Sequence, residues 1–193
     1  MKALPDRVSL GFSFNPERLR RDLEVLESHS WIDHFVKQNY VGTWDVLPLR
    51  GTAGATHPVM MIYSNPSCVD FADTFYLEQA PYLQSVLATF QCPLQSVRLM
   101  RLTPGSEIKE HCDHDLSAEL GQVRMHIPIT TNPDVDFFLN QTHVPMMPGS
   151  CWYLRLADPH SVKNRGTTDR VHLVIDATMN DWLANELYQA VSK

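Results

Sequence analysis

Val123-Arg124-Met125-His126-Ile127-Pro128-Ile129 alternates large apolar side chains with polar or ring-constrained ones. A period of two marks a β-strand, whose successive side chains point to opposite faces of a sheet. One face, Val123, Met125, Ile127 and Ile129, must be core. The other carries Arg124 and His126, which face water, as in a half-exposed sheet, or line a polar cavity. Pro128 has no N–H to give to a ladder, and it predicts an interrupted strand or an edge.

Working outward, turn signals recur from Leu94 onward at intervals that suit short strands: Pro104-Gly105, Asn132-Pro133-Asp134, Asn140-Gln141, Pro148-Gly149 and Asn164-Arg165-Gly166. Between them, Ser96 to Thr103, Gln122 to Thr131, Val135 to Leu139, Cys151 to Leu156 and Asp169 to Ala177 are rich in β-branched and aromatic residues. This rhythm predicts a mainly β protein, a sandwich or barrel-like double sheet. Upstream, Asn15-Pro16-Glu17 reads as a helix start, with Leu19, Leu23 and Leu26 at helical spacing. Trp44 to Leu47 and Pro58 to Tyr63 read as extended, Pro81 to Phe90 as a second helix, and Asn180-Asp181-Trp182 as the start of a last one. No repeat or long linker divides the chain. The expectation is a single domain over residues 1–193, with 1–93 packing on a barrel core at 94–178 and a C-terminal helix over 179–193.

The net charge of −6 is scattered along the chain and offers no footprint for nucleic acid or an anionic membrane surface. The four cysteines form no C-x-x-C pair, the start Met1-Lys2-Ala3-Leu4-Pro5-Asp6 is not signal-like because it runs into charge and proline before any apolar run develops, and no apolar window is long enough to span a bilayer. A reducing cytoplasm is the expected compartment.

Glu110-His111-Cys112-Asp113-His114-Asp115 concentrates metal-ligand side chains. On an extended strand His111 and Asp113 point to the same side and can grip one ion. His160, between the turns at Pro148 and Arg165, is the natural third ligand. Two histidines and a carboxylate leave open positions on a six-coordinate ion, the pattern of non-haem Fe(II) oxygenases, although an exposed His-x-Asp is also common in loops. A hairpin centred on Arg165 would set Arg170 directly opposite His160. A buried cation there implies an anionic ligand, and arginine holds a carboxylate by two parallel hydrogen bonds. The plainer alternative is an Arg170 that faces solvent or pairs with Asp169.

Five ordered blocks go further: Pro104 to Asp113, Arg124-Met125-His126-Ile127-Pro128, Pro148-Gly149, Pro159-His160-Ser161-Val162-x-Asn164, and Arg170-Val171-His172-Leu173-x-x-Asp176. Together they resemble the aspartyl/asparaginyl β-hydroxylase family of Fe(II)- and 2-oxoglutarate-dependent oxygenases, over roughly Leu94 to Trp182. The resemblance implies a double-stranded β-helix, or jelly-roll barrel of cupin type, flanked by N- and C-terminal helices. It also implies iron on His111, Asp113 and His160, Arg170 on the distal carboxylate of 2-oxoglutarate, and Arg124 and His126 turned inward near the keto-acid end or the substrate. Hydroxylation of an unactivated C–H bond with O2 as oxidant follows. Asp113 is a departure from the animal protein hydroxylases of the family, which carry glycine there; bacterial members and free-proline hydroxylases keep the carboxylate. The expected substrate bears a carboxylate: an aspartyl or asparaginyl residue, or alternatively a free or carrier-bound amino acid of the proline type. A cupin-like isomerase or a non-catalytic binding barrel would share the fold without using Arg170.

Overall fold

The structure, a computed structural model, describes residues 4–64 and 68–192. The N-terminal part contains strand β1 (Arg7–Ser13), helix α1 (Pro16–Leu26), strands β2 (Ile32–Asp33), β3 (Tyr40–Val41) and β4 (Trp44–Thr52), helix α2 (Pro58–Ile62), strand β5 (Phe71–Asp73) and helices α3 (Phe75–Glu78) and α4 (Pro81–Leu87). Strands β6 (Leu94–Leu102), β7 (Glu107–His111), β8 (Gln122–Thr130), β9 (Val135–Leu139), β10 (Thr142–His143), β11 (Ser150–Leu154), β12 (His160–Asn164) and β13 (Arg170–Thr178) follow, and helix α5 (Asp181–Val191) closes the chain. As read from the sequence, Asn15 caps α1 by accepting from the Arg18 N–H at 3.1 Å, and Asn180 caps α5 by accepting from the Leu183 N–H at 3.0 Å.

The strands form two antiparallel sheets. The larger runs β1-β11-β8-β13-β6-β4-β2 with β5 on β4, and the smaller runs β10-β9-β12-β7-β3. The mainly β, barrel-like reading therefore holds, and the N-terminal third supplies strands to both sheets.

Alternation along the large sheet separates two cores. Val97, Leu99, Met125, Ile127, Leu173 and Ile175 point outward into a layer shared with Leu19, Leu23, Leu83 and Leu187 of the helices. The intervening residues point between the sheets, where Trp44, Met100 and Val174 meet Ile108, Phe137 and Val162. Helical cover on one side and the second sheet on the other bury both faces of β13, so Arg170, His172 and Asp176 are each at most 2% exposed. Arg98, Arg124 and His126 occupy the same inner face on the neighbouring strands. Inward-pointing Arg124 and His126 resolve the alternative left by the alternation alone.

Three local readings are corrected. Pro58 to Tyr63 is helical rather than extended, because Pro58 starts a turn and Tyr63 N–H reaches the Val59 carbonyl at 2.9 Å. At Pro128 the edge alternative is corrected, since the strand is interior, and the interrupted alternative holds: a register shift between Val171 and His172, where Pro128 faces His172, absorbs the missing donor. Asn164-Arg165-Gly166 does not close a hairpin either. The Asn164 amide donates to Leu102 and Thr168 carbonyls, its Oδ1 accepts from Gly166 N–H, and the chain turns a corner from one sheet to the other. His160 is therefore opposite His111 on β7, while Arg170 is opposite Leu102 on β6. No helix among the described residues is long and apolar enough to cross a membrane.

Candidate functional site

The β12–β7 pairing makes His160 and His111 cross-strand neighbours, with ring centroids 4.2 Å apart. Asp113 follows β7 and is held by its N–H on the Leu156 carbonyl at 2.8 Å. Its Oδ1 lies 3.8 Å from His111 Nε2, and ligand atoms of His111, Asp113 and His160 all fall within 4.8 Å of one another. Both imidazoles are oriented from behind: His111 Nδ1 donates to the Lys109 carbonyl at 2.8 Å, and His160 Nδ1 to the Asp158 carbonyl at 3.0 Å. This leaves each Nε2 as a lone pair, the tautomer a metal requires. Burial, then the neighbouring His111, pushes the pKa of His160 down to about 4, so its ring is neutral at pH 7. The donor set fits one divalent ion.

Arg124 holds the carboxylate of this candidate set, Asp113. Its Nη1 donates to Asp113 Oδ2 at 2.9 Å, while its Nε and Nη2 grip Asp176 at 2.6 and 3.0 Å. Arg98 also contacts Asp176, donates to the Ile62 carbonyl of α2 at 2.9 Å, and Ser64 Oγ donates to Asp176 Oδ2 at 2.8 Å. Burial alone would raise the Asp176 pKa, but Arg124 and Arg98 outweigh it and hold the carboxyl well below its ordinary value. Arg124 thus orients Asp113 as well as bordering the cavity.

Among the described residues Arg170 has no carboxylate partner. Burial pushes its pKa down to about 9, its Nε has no hydrogen-bond acceptor, and Nη2 donates to His172 Nδ1 at 2.9 Å. Guanidinium can only donate, so His172 Nδ1 accepts. His126 Nδ1, 3.3 Å from the same atom, is then the protonated nitrogen, and its buried Nε2 is left without a partner. A cation and a ring nitrogen held unsatisfied inside a barrel are costly unless a ligand completes them.

Three cavities meet here. A small chamber of about 40 Å³ is lined by His111, Asp113, His160, Arg124, His126 and Arg170, so all six residues singled out in the sequence come together. A larger cavity of about 280 Å³ opens from the metal-ligand cluster towards His34, Trp44, Tyr63, Arg98 and Asp115. A third, of about 440 Å³, lies against Arg170, His172 and Phe137. His114 and Asp115 are exposed at the rim of the 280 Å³ cavity, as expected of non-ligands. Sequence reasoning missed Arg98, His34 and the role of Asp176. Strand period could have put Arg98 and Asp176 on the inner face, whereas the face-to-face stacking of His34 on Trp44, 3.5 Å between centroids, carries no sequence signal.

Residues 13–179 match the model of the aspartyl/asparaginyl beta-hydroxylase family. The chain belongs to that family. It is 28% identical over 163 residues to L-proline cis-3-hydroxylase 1 of a Streptomyces species, covering 83% of this chain and 56% of that protein. It is 26% identical over 165 residues to L-proline cis-4-hydroxylase of Rhizobium meliloti, covering 84% of this chain and 57% of that protein. The chain therefore spans little more than half the length of these curated relatives. Among solved structures, a Pseudomonas putida prolyl-4-hydroxylase shares the fold, with a TM-score of 0.54 at 12% identity, over 91% of this chain and 93% of that one.

Proposed function

We propose that this family member is an Fe(II)- and 2-oxoglutarate-dependent hydroxylase of a free, small amino acid of the proline type. The observation that carries the reading is the convergence of a two-histidine, one-carboxylate cluster and an unpaired buried arginine on one chamber. His111, Asp113 and His160 would hold the iron, and Arg170 would take the distal carboxylate of the keto acid through its free donors. Bound together, iron, keto acid and O2 supply the oxidation: one oxygen atom enters the C–H bond, the other goes to succinate as CO2 leaves.

The chain's own part is positioning. Lys109 and Asp158 carbonyls fix the two imidazoles, and Arg124 fixes Asp113. Trp44, Phe137 and Leu156 shield the chamber from water. At the 280 Å³ cavity, Arg124 bridges Asp113 and Asp176 and Arg98 shares Asp176, so both guanidiniums are fixed beside the place a substrate would take.

The sequence alone leaned towards an aspartyl or asparaginyl residue. Two curated relatives named for L-proline hydroxylation, and a cavity of about 280 Å³ that suits a free amino acid, favour the alternative. The test incubates iron-loaded protein with 2-oxoglutarate, O2 and a panel of free amino acids and Asp/Asn peptides. Succinate and a one-oxygen mass gain on free proline or a close analogue are expected; hydroxylation confined to the peptides would overturn the substrate assignment.

A further inference from the structure

The three cavities adjoin through shared lining residues, and the two outer ones have no lining residue in common. The central chamber shares Trp44, His111, Asp113 and Arg124 with the 280 Å³ cavity on one side, and Phe137 and Arg170 with the 440 Å³ cavity on the other. The Phe137 and Arg170 side chains thus form the partition between the chamber and the second cavity. Both are buried, and Arg170 presents an unpartnered Nε there.

The two outer cavities differ in charge. The 280 Å³ cavity is lined by two carboxylates, Asp113 and Asp115, and its two arginines are already engaged. Among the described residues, the 440 Å³ cavity has no carboxylate in its lining and one buried cation, Arg170, backed by His172, with Val144 and Met146 as apolar wall. A small dicarboxylate approaching through the first would pass Asp115 at its rim and cross the amino-acid site. Through the second it would meet only a cation that lacks an anion.

Resting on the function proposed above, we infer that the 440 Å³ cavity is the entrance and first docking site of the keto acid and the exit of the succinate formed, separate from the mouth used by the amino acid. The keto acid reaches Arg170 from behind, and a bound amino acid does not block its exchange.

The test follows keto-acid association by anaerobic stopped-flow absorbance of the Fe(II) protein, without turnover. In the wild-type protein, saturating proline is expected to leave the 2-oxoglutarate association rate unchanged. Narrowing the second mouth at the exposed positions His143 and Met147, with H143W/M147W, should slow association by about fivefold or more, whereas H114W at the other rim should not. The inference is overturned if proline blocks association in the wild-type protein, or if only H114W slows it. A wild-type protein that binds iron but gives no keto-acid signal at all would instead overturn the functional reading beneath it. The wild-type arm stands even if a variant fails to fold.

Discussion

Arg170 shows how function can oppose stability at one position. Its guanidinium is desolvated and, among the described residues, is bonded to His172 and paired with no anion. Arg170→Met should therefore stabilise the protein free of keto acid by about 1–4 kcal/mol in urea unfolding, since apolar replacement of a buried charge relieves its desolvation. The same change should weaken 2-oxoglutarate binding by about 2–5 kcal/mol in calorimetry. Asp176 is the opposite case, a carboxylate shared by Arg98 and by Arg124, which also pairs with Asp113. Asp176→Asn should destabilise by about 3–5 kcal/mol, because buried Arg98 loses its carboxylate and Arg124 keeps only Asp113. It should also loosen Asp113, read as weaker metal affinity in a chelator competition. The His111, Asp113 and His160 cluster and the inward Arg170 were visible as candidates because their types and spacing are chemical signals. Asp176 was visible only as part of a block, since a carboxylate's partners depend on which strands become neighbours.

At the scale of elements, strand period and turn residues located β6, β8, β9, β11 and β13 to within about two residues, as expected where one face is apolar throughout. β2 and β3 were not read because they are only two residues long; β1 was not read although Val8, Leu10 and Phe12 alternate with Ser9, Gly11 and Ser13. Pro58 to Ile62 was misread because five residues cannot distinguish periods of 2 and 3.6. The Asn164 turn was misread because sequence does not tell a hairpin from a corner between sheets; that choice lies in Asn164's contacts with Leu102 and Thr168. Turn chemistry at Gly149 makes a further prediction. This residue sits at φ +81°, and a Cβ there would meet the Phe14 carbonyl oxygen at 2.2 Å, where β1 leads into α1. Gly149→Ala should cost about 2–5 kcal/mol of stability, from left-handed strain plus overpacking.

Across the whole molecule, a barrel that buries histidines and arginines among the apolar residues of its inner face carries a pH signature. Burial first, then Arg98, pushes His34 down to about 3, and burial holds His126 and His172 well below the ordinary histidine value. The unfolded chain, titrating near 6.5, binds more protons than the folded one below that pH, so this stability is complete above about 6.5 and lost as pH falls towards the folded values. The melting temperature should drop steadily from pH 7 to pH 5, and less steeply in His34→Gln; a flat profile in the native protein would refute the neutral, buried assignment. Fold class and family were readable from ordered blocks over half the chain, whereas the substrate was not, because cavity size and the pairing of Arg98 and Arg124 arise only when distant strands meet.

The central claim is that His111, Asp113 and His160 hold iron in the chamber where Arg170 awaits a keto acid. Anaerobic titration of the Fe(II)-loaded protein with 2-oxoglutarate, followed by visible absorbance, tests it most directly. The account predicts one iron per chain, a band that saturates with 2-oxoglutarate, no band in His160→Ala, and a midpoint raised about 30-fold or more in Arg170→Met. An iron-loaded native protein whose spectrum ignores 2-oxoglutarate, or an Arg170→Met protein that titrates like the native one, would contradict it.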